Sequence, residues 1–209
     1  MSEWSDADRQ WMQRALELAD RGLYTTRENP RVGCVLVKDG RLLGEGFHRA
    51  PGQPHAEIEA MAGLSADSLA GATCYVTLEP CSHQGKTPPC ADALVSAGVA
   101  RVVAAMEDPN PQVSGQGLAR LKAAGLSVEV GLLSEEARAL NPGFVTRMTA
   151  QRPWIFLKSA ASLDGRTAMA DGESKWITAP AARADVQRLR ARVGAVITGI
   201  ETVLADDPL

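Results

Sequence analysis

The sequence lacks the features that mark membrane, secreted and nucleic-acid-binding proteins. No apolar run is long enough to span a bilayer, and the first residues have neither the basic nor the apolar region of a signal peptide. The formal net charge of -3 disfavours a broad nucleic-acid-binding face. The four cysteines have no secretory context, so they favour metal binding in a reducing cytosol over disulfides. We therefore expect a cytoplasmic globular protein without nucleic-acid or membrane partners.

Two common nucleotide-binding signatures are also missing. Gly85-Lys86-Thr87 ends like a phosphate-binding P-loop, but that pattern needs glycine at the position that holds Pro80. Gly44-Glu45-Gly46 and Gly115-Gln116-Gly117 lack the third glycine of a dinucleotide fingerprint and are more typical of turns. A nucleotide-hydrolysing loop is therefore excluded.

Helical and strand-like patterns alternate along the first part of the chain. We expect strands at 32–37, 41–48, 72–78, 101–106 and 128–132, and helices at 5–22, 56–64, 91–97 and 116–124. Asp39-Gly40 predicts a hairpin between the first two strands. The pattern indicates an α/β fold with a mostly parallel sheet, covered on both faces, and an antiparallel hairpin at one end. Sites in such sheets lie beyond the carboxyl ends of strands, where Glu79 to Cys81 fall.

A boundary is expected near Gln151-Arg152-Pro153, after a helix from about Ser134 that breaks at Asn141-Pro142-Gly143. We predict two domains, 1–150 and 151–209. In the second domain, 154–161 and 195–198 are predicted strands, and Thr178 caps a predicted helix that runs to Gly194.

The strongest motif combines one imidazole and two thiols, from His55, Cys81 and Cys90. This is the ligand set of a catalytic zinc site, which keeps its fourth position for water. Glu57, two residues after the histidine, can take a proton from that water. Residues two apart share a side only at a helix start, and Pro54 before a helix-forming run provides one. Cys90 also follows prolines at a helix start, where the helix dipole lowers a thiol pKa.

The spacing of these residues resembles that of zinc nucleobase deaminases, in which H-x-E is followed by P-C-x-x-C. Here eight residues rather than two separate Cys81 from Cys90. Together with the string Glu79-Pro80-Cys81-Ser82-His83, this loop closely resembles the deaminase half of the bifunctional riboflavin-biosynthesis deaminase/reductases. The resemblance implies a cytidine-deaminase-like three-layer α/β/α domain that holds zinc. It also implies a small-molecule substrate, a diaminohydroxyphosphoribosylaminopyrimidine, which loses ammonia to become the corresponding aminouracil.

The second domain resembles the start of the same family's reductase domain, an α/β fold like that of dihydrofolate reductase. The likeness rests on Lys158 to Ala168, Gly172 to Thr178 and Thr202 to Pro208. It implies that NADPH is contacted by Ala160, Trp176, Thr202 and Asp206, and that the reductase substrate is contacted by Ser174 and Arg190. Without the family, Trp176 is a core aromatic and Arg190 a charge on a solvated helix face.

The resemblance further implies that the chain is truncated in its C-terminal, reductase part. It would end about a third of the way through that domain, and so short a remnant buries only a small core. We therefore expect the chain to deaminate but not to reduce. We also expect a homo-oligomer, either a dimer or a tetramer.

Four polar residues near the metal motif are candidate substrate contacts: Asn29, His48, His83 and Lys86. Asn29-Pro30-Arg31 resembles the family's substrate-side loop, although an asparagine before a proline is equally typical of a turn. His48 and His83 flank the metal motif near strand ends, and Lys86 could bind a sugar phosphate through its charge. As isolated residues, all four would more often be solvated surface groups.

Two alternative functions remain open from the residues alone. A nucleoside or tRNA-type zinc deaminase shares the chemistry, although the long loop between the two cysteine ligands disfavours it. A non-catalytic, zinc-stabilised binding module would use His83 or Cys74 as a fourth ligand, but it leaves Glu57 at the helix start unexplained. Cys34 and Cys74 lie in apolar strands and are predicted to be core residues.

Overall fold

The computed structural model describes residues 4–83, 88–111 and 113–207. The chain divides into two compact units, Met1–Trp154 and Ile155–Leu209. None of the helices in the described ranges is both long and apolar enough to cross a lipid bilayer.

The first unit is built on a five-stranded sheet. Its strands are β1 (Gly33–Lys38), β2 (Arg41–Phe47), β3 (Thr73–Val76), β4 (Arg101–Ala104) and β5 (Ser127–Val130). They lie in the order β2-β1-β3-β4-β5; β1 is antiparallel to β2 and β3, whereas β3, β4 and β5 run parallel. Asp39 and Gly40 both have positive φ angles, 52° and 71°, which a type I′ hairpin turn requires. The predicted hairpin at one end of the sheet is confirmed, but the sheet is mixed rather than mostly parallel, because β1 is antiparallel to β3 as well as to β2.

Helices cover both faces of this sheet. They are α1 (Asp6–Asp20), α2 (Ala56–Met61), α3 (Ala66–Leu69), α4 (Cys90–Ser96), α5 (Gln116–Ala123), α6 (Ser134–Leu140) and α7 (Pro142–Ala150). One core contains Leu36 and Val102 with residues of α2, α4 and α5, and the other contains Val35 and Val103 with residues of α1 and α6. Neighbouring strand residues alternate between the two cores because successive side chains point to opposite faces. The first unit is thus a three-layer α/β/α structure, as expected.

The start of α1 is fixed by a capping box. Ser5 Oγ accepts a hydrogen bond from the backbone N–H of Asp8, and the Asp8 carboxylate accepts one from the Ser5 N–H. The same buried carboxylate accepts hydrogen bonds from Tyr75 Oη at 2.8 Å and from Arg101 at 2.6 Å. Arg101 also bonds Glu129 at 2.7 Å. These contacts connect the cap of α1 to strands β3, β4 and β5.

Several predicted boundaries in the first unit are wrong. The strand predicted at 72–78 ends at Val76, so the following residues leave the sheet at its edge. The helix predicted at 56–64 ends at Met61, because the chain turns at Gly63, whose φ is 78°, and Ser65 then caps α3. Gly44 to Gly46, interpreted as a turn, lie inside β2. Glycine lets β2 pack closely against α2, since a Cβ on Gly44 would lie 2.1 Å from the carbonyl oxygen of Ala60 in that helix.

The second unit contains two helices, α8 (Pro180–Arg192) and α9 (Ile200–Asp206). The helix expected from Thr178 instead has Ala179 as its N-cap, since a residue before proline favours an extended backbone. The strands predicted at 154–161 and 195–198 are not formed, and residues 155–207 include no strand. A strand forms only beside a second strand, and residues 155–207 provide none. Leu157 and Ile197 are accordingly 93% and 97% exposed.

Candidate active site

The three predicted metal ligands meet at the carboxyl edge of β3. His55 is the N-cap of α2, Cys90 is the first residue of α4, and Cys81 lies in the segment that follows β3. The His55 Nδ1 atom lies 3.5 Å from the Cys81 sulfur and 3.3 Å from the Cys90 sulfur. Within the described ranges these residues form the one cluster of His, Cys, Asp or Glu whose ligand atoms all lie within 4.8 Å of one another.

The separations between these atoms fit a tetrahedral zinc ion. Zinc–sulfur and zinc–nitrogen bonds of about 2.3 and 2.0 Å at tetrahedral angles put the two ligand atoms about 3.5 Å apart. Cys74, considered above as a fourth ligand, instead has its sulfur 3.5 Å from that of Cys34. Both residues are fully buried, which confirms that they belong to the core. The donor set therefore has three members among the described residues, which is the number of protein ligands in catalytic zinc sites.

The two thiols differ in acidity. The pKa of Cys81 is lowered to about 4, first by its hydrogen bond with the Cys90 thiol and then by His55 and the Cys90 backbone N–H. The pKa of Cys90 is raised, first by the same hydrogen bond and then by burial. Backbone amides at the helix start were expected to favour the thiolate of Cys90. The Cys90 amide instead donates to Cys81, and the second thiol would ionise beside a thiolate.

Glu57 is the acidic group that the motif places beside the ligands. Its residue surface is only 3% exposed, and burial raises the pKa of its carboxyl to about 7. The same carboxyl interacts with the Cys90 thiol and the His55 imidazole. A carboxyl with a pKa near neutrality can both accept and return a proton, which is what a general acid–base group must do.

Two of the four substrate candidates form a hydrogen-bonded chain beside the ligands. The His48 Nδ1 atom lies 3.2 Å from the carbonyl oxygen of Pro54, which can only accept, so Nδ1 carries the proton. Nε2 therefore accepts from the Asn29 side-chain amide at 3.1 Å. The buried His48 ring meets the His55 ring edge-on, with centroids 5.6 Å apart. Burial lowers the pKa of His48, which favours this neutral tautomer.

The remaining predicted contacts are His83 and Lys86 in the first unit and six residues in the second unit. His83 is exposed and directly precedes residues 84–87, so that Lys86 lies outside the described residues. In the second unit Trp176 is 69% exposed and stacks on Arg183, and the Arg190 guanidinium donates to the side chain of Gln187. No hydrogen bond in the described part of that unit joins Ala160, Ser174 or Thr202 to another of the predicted contacts, and the Asp206 side chain is outside the described set.

No sequence pattern predicted a role for Glu79. Its carboxylate is 4% exposed and accepts four backbone hydrogen bonds, at 2.8–3.3 Å, from Asp108, Gly115, Gly117 and Leu118. The last two donors are in the first turn of α5, whose N-cap is a glycine without a side chain. Glu79 therefore caps α5 from the segment that follows β3, and it fixes the backbone two residues before Cys81. The donors lie 29–39 residues downstream, which no local pattern reveals.

Asp108 was also missed. Its carboxylate accepts a hydrogen bond from the Asn110 N–H at 2.8 Å, and its pKa is raised, first by burial and then by the nearby Glu79 charge. His83 and Cys81 are close enough to act on the same carboxyl. An Asp-Pro-Asn-Pro run is typical of a turn, and no local pattern marks this carboxyl as part of a site.

Two family profiles match the chain. That of the cytidine and deoxycytidylate deaminase zinc-binding region matches residues 5–106, and that of the RibD C-terminal domain matches residues 153–209. The riboflavin biosynthesis protein RibD of Escherichia coli (strain K12) is 61% identical over 201 residues, covering 96% of this chain and 54% of the relative. The RibD of Haemophilus influenzae is 57% identical over 208 residues, covering 100% of this chain and 56% of the relative. The chain belongs to the RibD family.

Solved RibD structures have the same fold. Acinetobacter baumannii RibD, form 1, aligns with a TM-score of 0.92 at 59% identity, covering 97% of this chain and 56% of that chain. A Thermotoga maritima diaminohydroxyphosphoribosylaminopyrimidine deaminase/5-amino-6-(5-phosphoribosylamino)uracil reductase aligns with a TM-score of 0.89 at 46% identity. This alignment covers 97% of the present chain and 58% of the Thermotoga chain. This member of the RibD family therefore spans about half the length of the relatives that it matches. The division at 150/151 stays a prediction.

Proposed function

We propose that the chain is a zinc-dependent deaminase of riboflavin biosynthesis. The reaction is hydrolytic removal of an amino group from diaminohydroxyphosphoribosylaminopyrimidine, giving 5-amino-6-(5-phosphoribosylamino)uracil and ammonia. The observation that carries this proposal is the buried Glu57 carboxyl beside a three-member His/Cys/Cys donor set. A purely structural zinc site has four protein ligands and does not need an adjacent acid.

In this proposal His55, Cys81 and Cys90 hold the metal. Zinc bound there would lower the pKa of a water to about 7 and so supply a nucleophile at neutral pH. The hydrogen bond from the Cys90 N–H keeps negative charge on the Cys81 sulfur, the form that binds metal.

Glu57 is the proposed general base and acid. It would take a proton from the attacking water and pass it to a ring nitrogen, which makes the amino-bearing carbon more electrophilic. It would then deliver the second proton to the departing amine, so that the C–N bond breaks as ammonia leaves. Its raised pKa supports both roles, since neither the carboxylate nor the acid is strongly disfavoured near pH 7.

Substrate recognition is assigned to Asn29, His48, His83 and Lys86. The Asn29 Nδ2 atom donates a hydrogen bond to His48. The Oδ1 atom of this exposed residue can then accept a hydrogen bond from a donor on the pyrimidine or ribose. Lys86 supplies a positive charge for the phosphate, and His83 precedes it in the same loop.

The second unit is proposed to belong to an NADPH-dependent reductase. The support is the RibD C-terminal profile over 153–209, together with the relatives named above. The proposed cofactor contacts are Ala160, Trp176, Thr202 and Asp206, and the proposed substrate contacts are Ser174 and Arg190. We also propose a cytoplasmic location, which the four unpaired cysteines favour, and a dimeric or tetrameric assembly.

The direct test is a substrate panel. Zinc-loaded protein should release ammonia from the pyrimidine ribosyl phosphate and be much slower with cytidine and adenosine. A preference for either nucleoside would overturn the proposed substrate, and no release from any of the three would overturn the proposed activity.

A further inference from the structure

The side chain of Asn141 has an unusual set of partners. Asn141 is the N-cap of α7, where an asparagine ordinarily accepts a hydrogen bond from the first helical turn, but this cap bond is not made. Its Oδ1 instead accepts from the backbone N–H of Arg31 at 2.7 Å, and its Nδ2 donates to the Arg31 carbonyl oxygen at 2.9 Å. One planar amide thus pairs with both backbone groups of a residue 110 positions away.

The Arg31 side chain strengthens the same attachment. Its guanidinium forms an ion pair with Asp20 at 2.6 Å and donates to the carbonyl oxygen of Leu140, the residue before Asn141. Arg31 is 9% exposed, whereas the Asp20 side chain is 62% exposed, so the guanidinium is buried and its ion pair faces solvent on the Asp20 side. The junction of α6 and α7 therefore holds both the backbone and the side chain of Arg31.

This attachment lies next to the substrate-side loop. Asn29 is two residues before Arg31, and its side-chain amide donates to His48 Nε2. The backbone N–H of His48 donates to the carbonyl oxygen of Val32, the residue after Arg31. The segment 29–32 is therefore held by Asn141 on one side and by His48 on the other.

We propose that Asn141 is a positioning residue that fixes Asn29 for substrate binding. Asn141 acts through the Arg31 backbone and does not itself touch the reacting atoms. This inference rests on the proposed function of Asn29 as a substrate contact. It predicts that changes at Asn141 weaken substrate binding more than they slow the chemical step, because Glu57 and the metal ligands lie on other elements.

Two substitutions separate this role from simple helix capping. Asparagine and aspartate are equally good N-caps, so Asn141→Asp should be harmless if Asn141 only starts α7. In the proposed role Asn141→Asp is harmful, because a carboxylate oxygen would then face the Arg31 carbonyl oxygen. Asn141→Ala removes both bonds. Thr149→Ala is the control on α7, since this exposed hydroxyl bonds only within its own helix.

The first measurement needs no substrate. In ¹⁵N-labelled protein, Asn141→Ala should speed exchange of the Arg31 amide proton at least about fivefold, the effect of losing one hydrogen bond. Asn141→Asp should shift the signals of the Asn29 side-chain amide and of the His48 ring nitrogens. Thr149→Ala should do neither. Unchanged exchange at Arg31 together with unchanged Asn29 and His48 signals would overturn the inference, whatever the protein's activity.

The second measurement uses turnover of the pyrimidine ribosyl phosphate. Both Asn141 variants should raise KM about five- to tenfold, the effect of misplacing one hydrogen bond, with kcat and zinc content nearly unchanged. In an Asn29→Ala background, Asn141→Asp should add little further loss, because the two residues act in series. Independent, multiplying losses, or a fall in kcat alone, would overturn the inference. Absence of turnover in the unmodified protein would instead count against the proposed function, and the exchange data would still decide the positioning role.

Discussion

Replacement of Glu79 by glutamine tests how the fold holds the site. The carboxylate accepts four backbone N–H groups, two at each oxygen. Glutamine keeps the shape but replaces one oxygen with an NH₂ group, so two buried amide donors would face another donor. Each buried donor without a partner costs about 1–3 kcal/mol, so Glu79→Gln should lower the unfolding free energy of the first unit by about 2–6 kcal/mol.

The assay is urea unfolding of zinc-loaded protein, followed by far-UV circular dichroism. Glu136→Gln is the matched control, because this exposed residue in the first turn of α6 has no buried donor to lose, and its effect should stay within about 0.5 kcal/mol. Amide exchange should identify the damage, with faster exchange at Gly117 and Leu118. A loss below about 1 kcal/mol for Glu79→Gln, or equal losses for the two variants, would refute the claim that Glu79 caps α5.

Three further predictions concern the metal, acid stability and the second unit. Purified protein should contain about one zinc per chain, and Cys81→Ser or Cys90→Ser should lose most of it by elemental analysis, whereas full occupancy after both changes would remove the proposed site. Burial alone would raise the pKa of Asp8, but hydrogen bonds from Arg101, Ser5 and Tyr75 hold it well below its usual range. The stability that Asp8 contributes is therefore present above its unfolded pKa of about 3.9 and is lost as the pH falls. The difference in unfolding free energy between the unmodified protein and Asp8→Asn should accordingly shrink from pH 7 to pH 3, and a constant difference would contradict this. The chain should not oxidise NADPH when given the deaminated product, because its second unit exposes apolar residues such as Leu157 and Ile197 and has no strand among residues 155–207; product-dependent NADPH consumption would show that this reasoning is wrong.

Local sequence patterns predicted correctly the features whose formation depends on neighbouring residues in the chain. The Asp39-Gly40 turn, the Ser5 cap and the alternating strands each depend on residues within a few positions, and all three are present. The His55, Cys81 and Cys90 set was predicted from its resemblance to the zinc deaminase motif, and the structure brings these three side chains together.

Patterns failed where distant groups decide the structure. The apolar segments at 154–161 and 195–198 have the composition of strands, but strands form only beside a pairing partner. The capping of α5 by Glu79 and the pairing of Asn141 with Arg31 join residues far apart in the sequence. The Cys90 amide likewise donates to the sulfur of Cys81, nine residues earlier in the chain.

The most direct test of the proposed chemistry is ammonia release by Glu57→Gln. Glutamine has nearly the same shape as the buried carboxyl but cannot accept and return a proton, so the fold and the zinc content should be retained. Turnover of the pyrimidine ribosyl phosphate should fall at least about 10²-fold. Near-normal ammonia release by Glu57→Gln, with one zinc still bound per chain, would contradict the assignment of Glu57 and with it the proposed mechanism.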